Sequence, residues 1–373
     1  MVEDFVTALS HFPRLFVIAR NSSFTYKGRP GIDIRQVGRE LGVRYVLQGS
    51  VRRAEERVRI AGQLIDASSG AHLWADRFDG VLTDIFDLQD AIALSVVGAI
   101  GPRLMSAEVE RAQRRRAASL DAYDLYLRAL PNVHAMTREG SDTALNLLAQ
   151  AVALDPDYAV AAGLASWCYA LRVVQRWPTD FETEKRAGSE LGRRAIAQGP
   201  SDPDALAMGG YAVAFLGEEL RIGLAAIERA IALNPNSALA LTHAGFVRGY
   251  LGEAATAVKM FERALRQSPR DLAIYRTYWG LSYAHFLQEN FEEAVVWAQR
   301  SLAAKSTYIP PLRSLAASLG HLGRIGEAAA VVARLRALVP DETIASHTAR
   351  AEKLWGGRLL LLLEGLRRAR LPE

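Results

Sequence analysis

PNSALALTHAGFVRGYLGEAATAVKMFERALRQSP, residues 235–269, is the stretch that decides the fold of the second half of the chain. Its spaced positions are large, apolar, small, turn-forming, small, aromatic, small and proline: Leu241, Ala244, Gly245, Gly252, Ala257, Phe261, Ala264 and Pro269. A small residue early in the second helix of a pair lets the first helix approach closely, and an aromatic residue one turn later fills the groove between them. The stretch therefore predicts a pair of helices that forms one unit of 34 residues.

The same spacing recurs along the chain. Small residues stand twelve positions before a proline at five places, since Ala144, Gly188, Gly223, Ala257 and Ala328 precede Pro156, Pro200, Pro235, Pro269 and Pro340. This pattern resembles the tetratricopeptide signature. We expect an all-α solenoid of about six helix pairs in residues 121–340, with residues 341–373 as a C-terminal capping segment.

The first hundred residues mix helical and strand periods. Helical spacing of apolar residues predicts helices over 1–11 and 32–41, and the apolar run 16–19 predicts a buried strand. From Arg44 the period changes to two, and turn-forming residues separate three alternating segments, which predicts an antiparallel meander followed by a helix over about 83–116. The expected fold class is thus an α+β N-terminal domain, residues 1–100, with a basic connecting helix, residues 101–120, leading into the solenoid.

A longer resemblance covers nearly the whole chain. It is carried by FVIARNSSFTYKGR (16–29), VGRELGVRYVLQGSVRR (37–53), VRIAGQLIDASSGAHLWADRFDG (58–80), IFDLQDAIA (85–93), YDLYLRAL (123–130) and EGLRRARLPE (364–373). These segments resemble the TolB-N-like module and repeat region found downstream of the catalytic domain in bacterial class III adenylate/guanylate cyclases, and behind winged helices in some regulators. Relatives carry a further strand and an effector domain ahead of the segment at Met1. The resemblance implies that both are missing here, with an unpaired sheet edge through which the chain could self-associate.

Two sets of candidate binding residues follow. The register of the repeats places six side chains on the concave face of the solenoid, where a peptide or protein partner would bind: Thr242, Phe246, Arg276, Trp279, Tyr283 and Arg313. The alternative for Trp279 and Tyr283 is packing between helices. In the first domain, Arg20, Tyr26, Lys27 and Arg29 form a candidate loop for an anion or small effector, the alternative being that Phe24 and Tyr26 pin the loop to the sheet.

Motifs for catalysis or cofactor binding are absent from the sequence. It has no Walker-type glycine loop, GxGxxG after a strand, HExxH or GxSxG, its seven histidines are scattered, and Cys168 is its single cysteine. We therefore expect no enzyme activity, no cofactor and no metal. The net charge of +4 comes from 45 basic and 41 acidic residues that are interspersed, so we expect no direct contact with nucleic acid.

The expected function is that of a non-catalytic regulatory or protein-interaction module. One alternative is the regulatory part of an adenylate/guanylate cyclase that needs a separate catalytic domain, and another is part of a winged-helix regulator without its DNA-binding domain. The N-terminus lacks the basic start and apolar core of a secretion signal, and no apolar run is long enough to span a membrane. We expect a cytoplasmic protein that does not bind membranes.

Overall fold

A computed structural model describes residues 32–54, 57–81, 100–101, 103–109, 121–269, 271–348 and 358–373, together with Ile18 and Tyr26. The chain divides into two compact units, Met1–Arg115 and Arg116–Glu373. We call them the sheet unit and the helical unit. The helix predicted over 1–11 and most of the helix predicted over 83–116 lie outside the described residues, as does the strand predicted over 16–19 apart from Ile18.

The sheet unit contains an antiparallel meander. Its three strands are β1 (Tyr45–Ala54), β2 (Arg57–Asp66) and β3 (His72–Val81), in the order β1-β2-β3. Alternate residues of β2, Val58, Ile60 and Leu64, are buried against Ile100 and Leu104, where residues 100–101 and 103–109 are helical. The alternation predicted from residue 44 onward is confirmed, because one face of the sheet packs on apolar side chains and the other carries polar ones.

Helix α1 (Ile34–Leu41) precedes the sheet and has well-defined ends. The side chain of Asp33 accepts a hydrogen bond from the backbone N–H of Arg35 at the N-terminus. The helix stops at Gly42, whose φ of +64° lies in the left-handed region that glycine adopts without strain. The sequence prediction of a helix ended by this glycine is confirmed.

The helical unit is built from consecutive helix pairs. The helices are α2 (Ala122–Ala135), α3 (Arg138–Leu154), α4 (Ala159–Val174), α5 (Phe181–Gln198), α6 (Pro203–Phe215), α7 (Leu220–Leu233), α8 (Ala238–Tyr250), α9 (Ala254–Gln267), α10 (Ile274–Leu287), α11 (Phe291–Ala304), α12 (Pro310–His321), α13 (Ile325–Leu338) and α14 (Arg358–Arg368). Helices α2 to α13 form six pairs, so an α+β unit is followed by an all-α solenoid of tetratricopeptide type, as the sequence predicts.

The close contacts within the repeat explain its small residues. The ring of Phe261 on α9 is fully buried, and a Cβ atom added to Gly245 or Gly280 would lie only 2.6 or 2.3 Å from it. Ala257 and Ala264 are also buried on the same helix. The aromatic ring therefore fills a space that exists because α8 and α10 carry glycine at the facing positions.

First and second helices of the pairs differ in burial. Every residue is buried over 159–168 in α4, over 205–216 in and just after α6, and over 308–320 in and just before α12. The second helix α9, in contrast, buries one stripe made of Ala254, Ala257, Phe261 and Ala264. We call α4, α6, α8, α10 and α12 the inner helices and α3, α5, α7, α9, α11 and α13 the outer helices.

Arginines on three outer helices join successive pairs. Arg194, Arg263 and Arg334 each stand six residues after a small residue of the repeat pattern, and each donates a hydrogen bond to a backbone carbonyl in the turn before its own pair. The acceptors are the carbonyls of Pro156, Pro235 and Ser306, at 2.5, 2.6 and 2.6 Å. These bonds satisfy backbone carbonyls in the turns that follow the preceding outer helices.

Candidate functional site

The six predicted groove residues come together, but in the interior of the helical unit. Thr242 and Phe246 lie on α8, Arg276, Trp279 and Tyr283 on α10, and Arg313 on α12, and their exposed fractions lie between 0 and 8%. The expectation that they form an open binding surface is therefore corrected. The inner helices that carry them are buried along most of their length, so these side chains are not displayed to solvent.

Their contacts are those of a packed core. The rings of Phe246 and Trp279 are 4.6 Å apart, and Trp279 also meets Tyr308 edge-on at 5.7 Å. The indole N–H of Trp279 donates to the Oγ of Ser314 at 3.3 Å. The structure thus favours the alternative of packing between helices for Trp279 and Tyr283, and binding of a partner by the six residues stays a prediction.

Arg276 lies in a cage of aromatic rings. Its guanidinium carbon is 4.8 Å from the ring centre of Trp167, 5.7 Å from that of Tyr211 and 5.8 Å from that of Phe246. The quadrupoles of aromatic faces attract a cation at such distances. We call the group of Trp167, Tyr211, His243, Phe246 and Tyr308 around Arg276 the Arg276 cage.

His243 is a hydrogen-bond partner of Arg276. The Nδ1 atom of His243 is 3.0 Å from the carbonyl oxygen of Ala207, and its Nε2 atom is 3.2 Å from Nη1 of Arg276. Since a carbonyl can only accept and a guanidinium can only donate, Nδ1 carries the proton and Nε2 accepts. Burial, followed by the charge of Arg276, holds the pKa of His243 well below its ordinary value, so the imidazole is neutral.

This neutral histidine makes the stability of the helical unit depend on pH. In the unfolded chain His243 takes up a proton near pH 6.5, whereas in the folded chain it does so only at lower pH. Below about pH 6.5 the unfolded state therefore binds more protons than the folded state. The free energy of unfolding falls as the pH falls, by up to about 1.4 kcal/mol per pH unit from this side chain. Burial lowers the pKa of His134, His285 and His347 as well, and each adds in the same direction.

Urea unfolding of the full chain at pH 7.5 and pH 5.5, followed by circular dichroism, measures this slope. We expect a smaller loss of stability on acidification in a His243→Gln variant than in the natural chain. An equal loss in both chains would show that His243 is already protonated in the folded state.

A second buried group of charged side chains is centred on Glu342. Arg313 donates two hydrogen bonds to the Glu342 carboxylate, at 2.5 and 3.2 Å, while Arg176 Nε and His347 Nδ1 lie 3.3 and 3.5 Å from it. Burial alone would raise the pKa of Glu342, but the hydrogen bond from His347 and the charges of Arg313 and Arg176 outweigh it and hold the pKa well below 4.5. We call these four residues the Glu342 cluster.

The Glu342 cluster is part of a set of contacts between distant repeats. Gln175, just after α4, donates to the carbonyl of Thr307 at 3.2 Å and accepts from the backbone N–H of Ile309 at 2.9 Å. Lys305 donates to the carbonyl of Ala135 at 3.0 Å. The first two helix pairs therefore touch the start of the sixth, and the curvature of the array closes its interior.

Repeat spacing could not identify these closing residues. Gln175 and Arg176 lie in a turn, and Glu342 and His347 lie in the segment after α13, so none occupies a repeated position. The sequence did carry a signal for the burial of the inner helices, because residues 205–216 contain no charged side chain. A helix that is apolar on every face is a buried helix.

The candidate effector loop of the sheet unit falls largely outside the described residues. Arg20, Lys27 and Arg29 are not described, and of the four residues only Tyr26 can be placed. Its hydroxyl donates a hydrogen bond to the carboxylate of Glu40 on α1 at 2.6 Å. Binding of an anion or effector by this loop stays a prediction, as does its attachment to the sheet.

In the part of the chain that the structure describes, no group of three or more metal-ligating side chains comes together. The thiol of Cys168 on α4 is buried, which raises its pKa to about 12 and keeps it protonated and unreactive at neutral pH. Within the same residues, no helix has the length and apolar character that crossing a membrane requires.

The sequence is similar to that of one named bacterial protein. It is 40% identical over 203 residues to "Putative adenylate cyclase 3" of Rhizobium meliloti (strain 1021), and the match covers 54% of this chain but 34% of that protein. The chain thus spans about a third of the length of this relative. No protein-family model matches the chain, so the resemblance to a TolB-N-like module stays a prediction.

A solved structure shares the fold of the helical unit. The APC/C hetero-tetramer Cut9–Hcn1 matches 71% of this chain and 48% of its own with a TM-score of 0.50 and 15% identity. A tetratricopeptide repeat protein from Parabacteroides merdae ATCC 43184 matches 67% of this chain and 98% of its own, with a TM-score of 0.37 and 13% identity. At these identities the likeness concerns the fold alone.

Proposed function

We propose that the chain is a non-catalytic regulatory module that binds a peptide or protein partner through its helical unit. The observation that carries this proposal is the difference in burial between the inner and outer helices. The inner helices are buried by packing against their neighbours. Each outer helix buries one stripe and exposes much of its remaining surface to solvent, over six successive pairs. A stack of repeats presents a long, regular surface, and solenoid proteins bind partners over extended surfaces.

The partner surface is best placed on the outer helices. The six candidate residues are buried in the interior, and contacts of Gln175 with Thr307 and of Lys305 with Ala135 join the first two helix pairs to the start of the sixth, which does not favour entry of a peptide there. The outer helices expose mixed charge together with scattered large apolar side chains, such as Ile222 on α7 and Val296 on α11. A polar surface with a few apolar anchors suits a partner that binds and dissociates.

A second candidate function is supported by the similarity to the adenylate cyclase relative. The match has 40% identity over 203 residues and covers about a third of that protein. We infer that this chain has the same role toward a cyclase as the matching part of the relative. On this proposal the chain is the regulatory part of a cyclic-nucleotide-producing assembly and depends on a separate catalytic domain.

Affinity capture with the full chain as bait tests both proposals. We expect proteins retained from cells that express the chain to be displaced by an excess of untagged chain, since a specific site saturates. In a parallel arm, the purified part of the Rhizobium relative outside the match serves as the prey, and its retention would support the cyclase assignment. If no protein is retained in a way that the untagged chain displaces, the interaction proposal is wrong.

A further inference from the structure

We propose that the Arg276 cage is a binding site for a small oxyanion, either a carboxylate or a phosphate group. The site lies among the inner helices and goes beyond the proposed binding of a protein partner on the outer helices. Three observations support it: the missing countercharge of Arg276, two donors without acceptors, and the shape of the guanidinium.

Arg276 is a buried cation with no counterion among the residues that the structure describes. It is 3% exposed, and among the residues that the structure describes no carboxylate lies within 4.0 Å of its guanidinium. Other buried arginines of the helical unit are paired, Arg172 with Glu184 and Asp142 and Arg313 with Glu342. Burying a guanidinium without an anion is strongly unfavourable, and attraction to aromatic faces compensates only part of that cost.

Two hydrogen-bond donors in the cage also lack acceptors. The Nε atom of Arg276 and the Nε1 atom of Trp167 are buried with no hydrogen-bond partner, and the two residues are neighbours, 4.8 Å from guanidinium carbon to ring centre. The acceptor nitrogen of His243 is already used by Nη1 of Arg276. A water molecule could accept a hydrogen bond from these donors but carries no charge, whereas an oxyanion supplies both acceptors and the missing negative charge.

The chemistry of the site selects the ligand. The planar fork of a guanidinium matches two oxygen atoms of a carboxylate or phosphate. Because the cage is buried and the interior is closed, we infer that the ligand is a free small anion. The acidic end of a peptide offers the same oxygen atoms, and the experiment below separates the two sources.

Thermal unfolding of the full chain, followed by circular dichroism at 222 nm, tests the site. The chain is titrated with inorganic phosphate, with acetate, and with a peptide that ends in two glutamates, each against sodium chloride at equal ionic strength. We expect phosphate or acetate to raise the unfolding midpoint by roughly 5 °C near saturation. An Arg276→Met variant should show no rise, while the control Arg229→Met, which removes an exposed arginine of α7, should respond like the natural chain.

A gentler variant keeps the test decisive if Arg276→Met does not fold. Trp167→Phe keeps an aromatic ring at this position but removes the indole N–H, one of the two donors. We expect the variant to bind the anion about tenfold more weakly than the natural chain. A rise caused by the glutamate peptide alone would support the oxyanion site and assign it to a peptide carboxylate. If no anion raises the midpoint beyond sodium chloride, or if Arg276→Met responds as strongly as the natural chain, the proposal is overturned.

Discussion

Replacing Glu342 with glutamine lowers the free energy of unfolding of the helical unit by about 3–5 kcal/mol. The carboxylate is 1% exposed and faces the guanidinium groups of Arg313 and Arg176. Its removal takes away the carboxylate that pairs with the buried guanidinium of Arg313, and the substitution barely changes the volume. Loss of charge balance is therefore the cause of the expected effect.

Urea unfolding of the full chain, followed by circular dichroism, measures this loss. The matched control is Glu327→Gln, which breaks the exposed ion pair with Arg324 and should hardly move the unfolding midpoint. Because the pKa of Glu342 is lowered in the folded chain, its contribution is fully present above the ordinary value of 4.5 and disappears as the pH falls below it. The difference in the free energy of unfolding between the natural chain and the Glu342→Gln variant should therefore become smaller in acid. An equal loss of stability in Glu342→Gln and Glu327→Gln would contradict the stabilising role of the Glu342 cluster.

Replacing Phe261 with alanine costs about 3–5 kcal/mol of unfolding free energy. The ring is fully buried between α8 and α10 and makes close contact with Gly245 and Gly280. Its removal leaves a cavity that the glycines cannot fill. The same contact predicts that Gly280→Ala is destabilising by about 1–3 kcal/mol, because the new Cβ atom meets the ring at 2.3 Å.

A double-mutant cycle separates this contact from the general effect of alanine in a helix. Gly280→Ala should cost much less in a Phe261→Leu background, since the smaller side chain makes room for the methyl group. Gly326→Ala on α13 is the matched control, because nothing lies within 4 Å of its added Cβ atom, and it should be neutral or slightly stabilising. Equal costs for Gly280→Ala in both backgrounds would show that Phe261 does not determine the spacing.

The local architecture could be predicted from the sequence. The spacing of Gly245, Ala257, Phe261 and Pro269 determines how one helix packs on the next, and the change to a period of two at Arg44 determines the strands. Both are short-range properties, because they depend on which residues share a face of a helix or strand. The register of the repeats was likewise sufficient to group Phe246, Arg276 and Trp279, which are in contact in the structure.

The environment of those residues could not be predicted in the same way. Whether the inner face of a solenoid is open or filled depends on the small rotation between successive repeats, added over five or six pairs. The contacts of Gln175 with Thr307 and of Arg176 with Glu342 are the result of that rotation, and their partners are more than 130 positions apart in the sequence. No motif links such positions. The sequence therefore predicts that Arg313 binds a partner, whereas in the structure it pairs with the carboxylate of Glu342 in the same chain.

The most direct test of the central claim, that the helical unit binds the partner, is hydrogen–deuterium exchange of the full chain with and without the protein retained in the capture experiment. We predict that the partner slows exchange in outer helices between residues 138 and 338 and changes little in the inner helices, which are already protected by burial. Slowed exchange confined to the sheet unit, or no change in either unit, would contradict the claim.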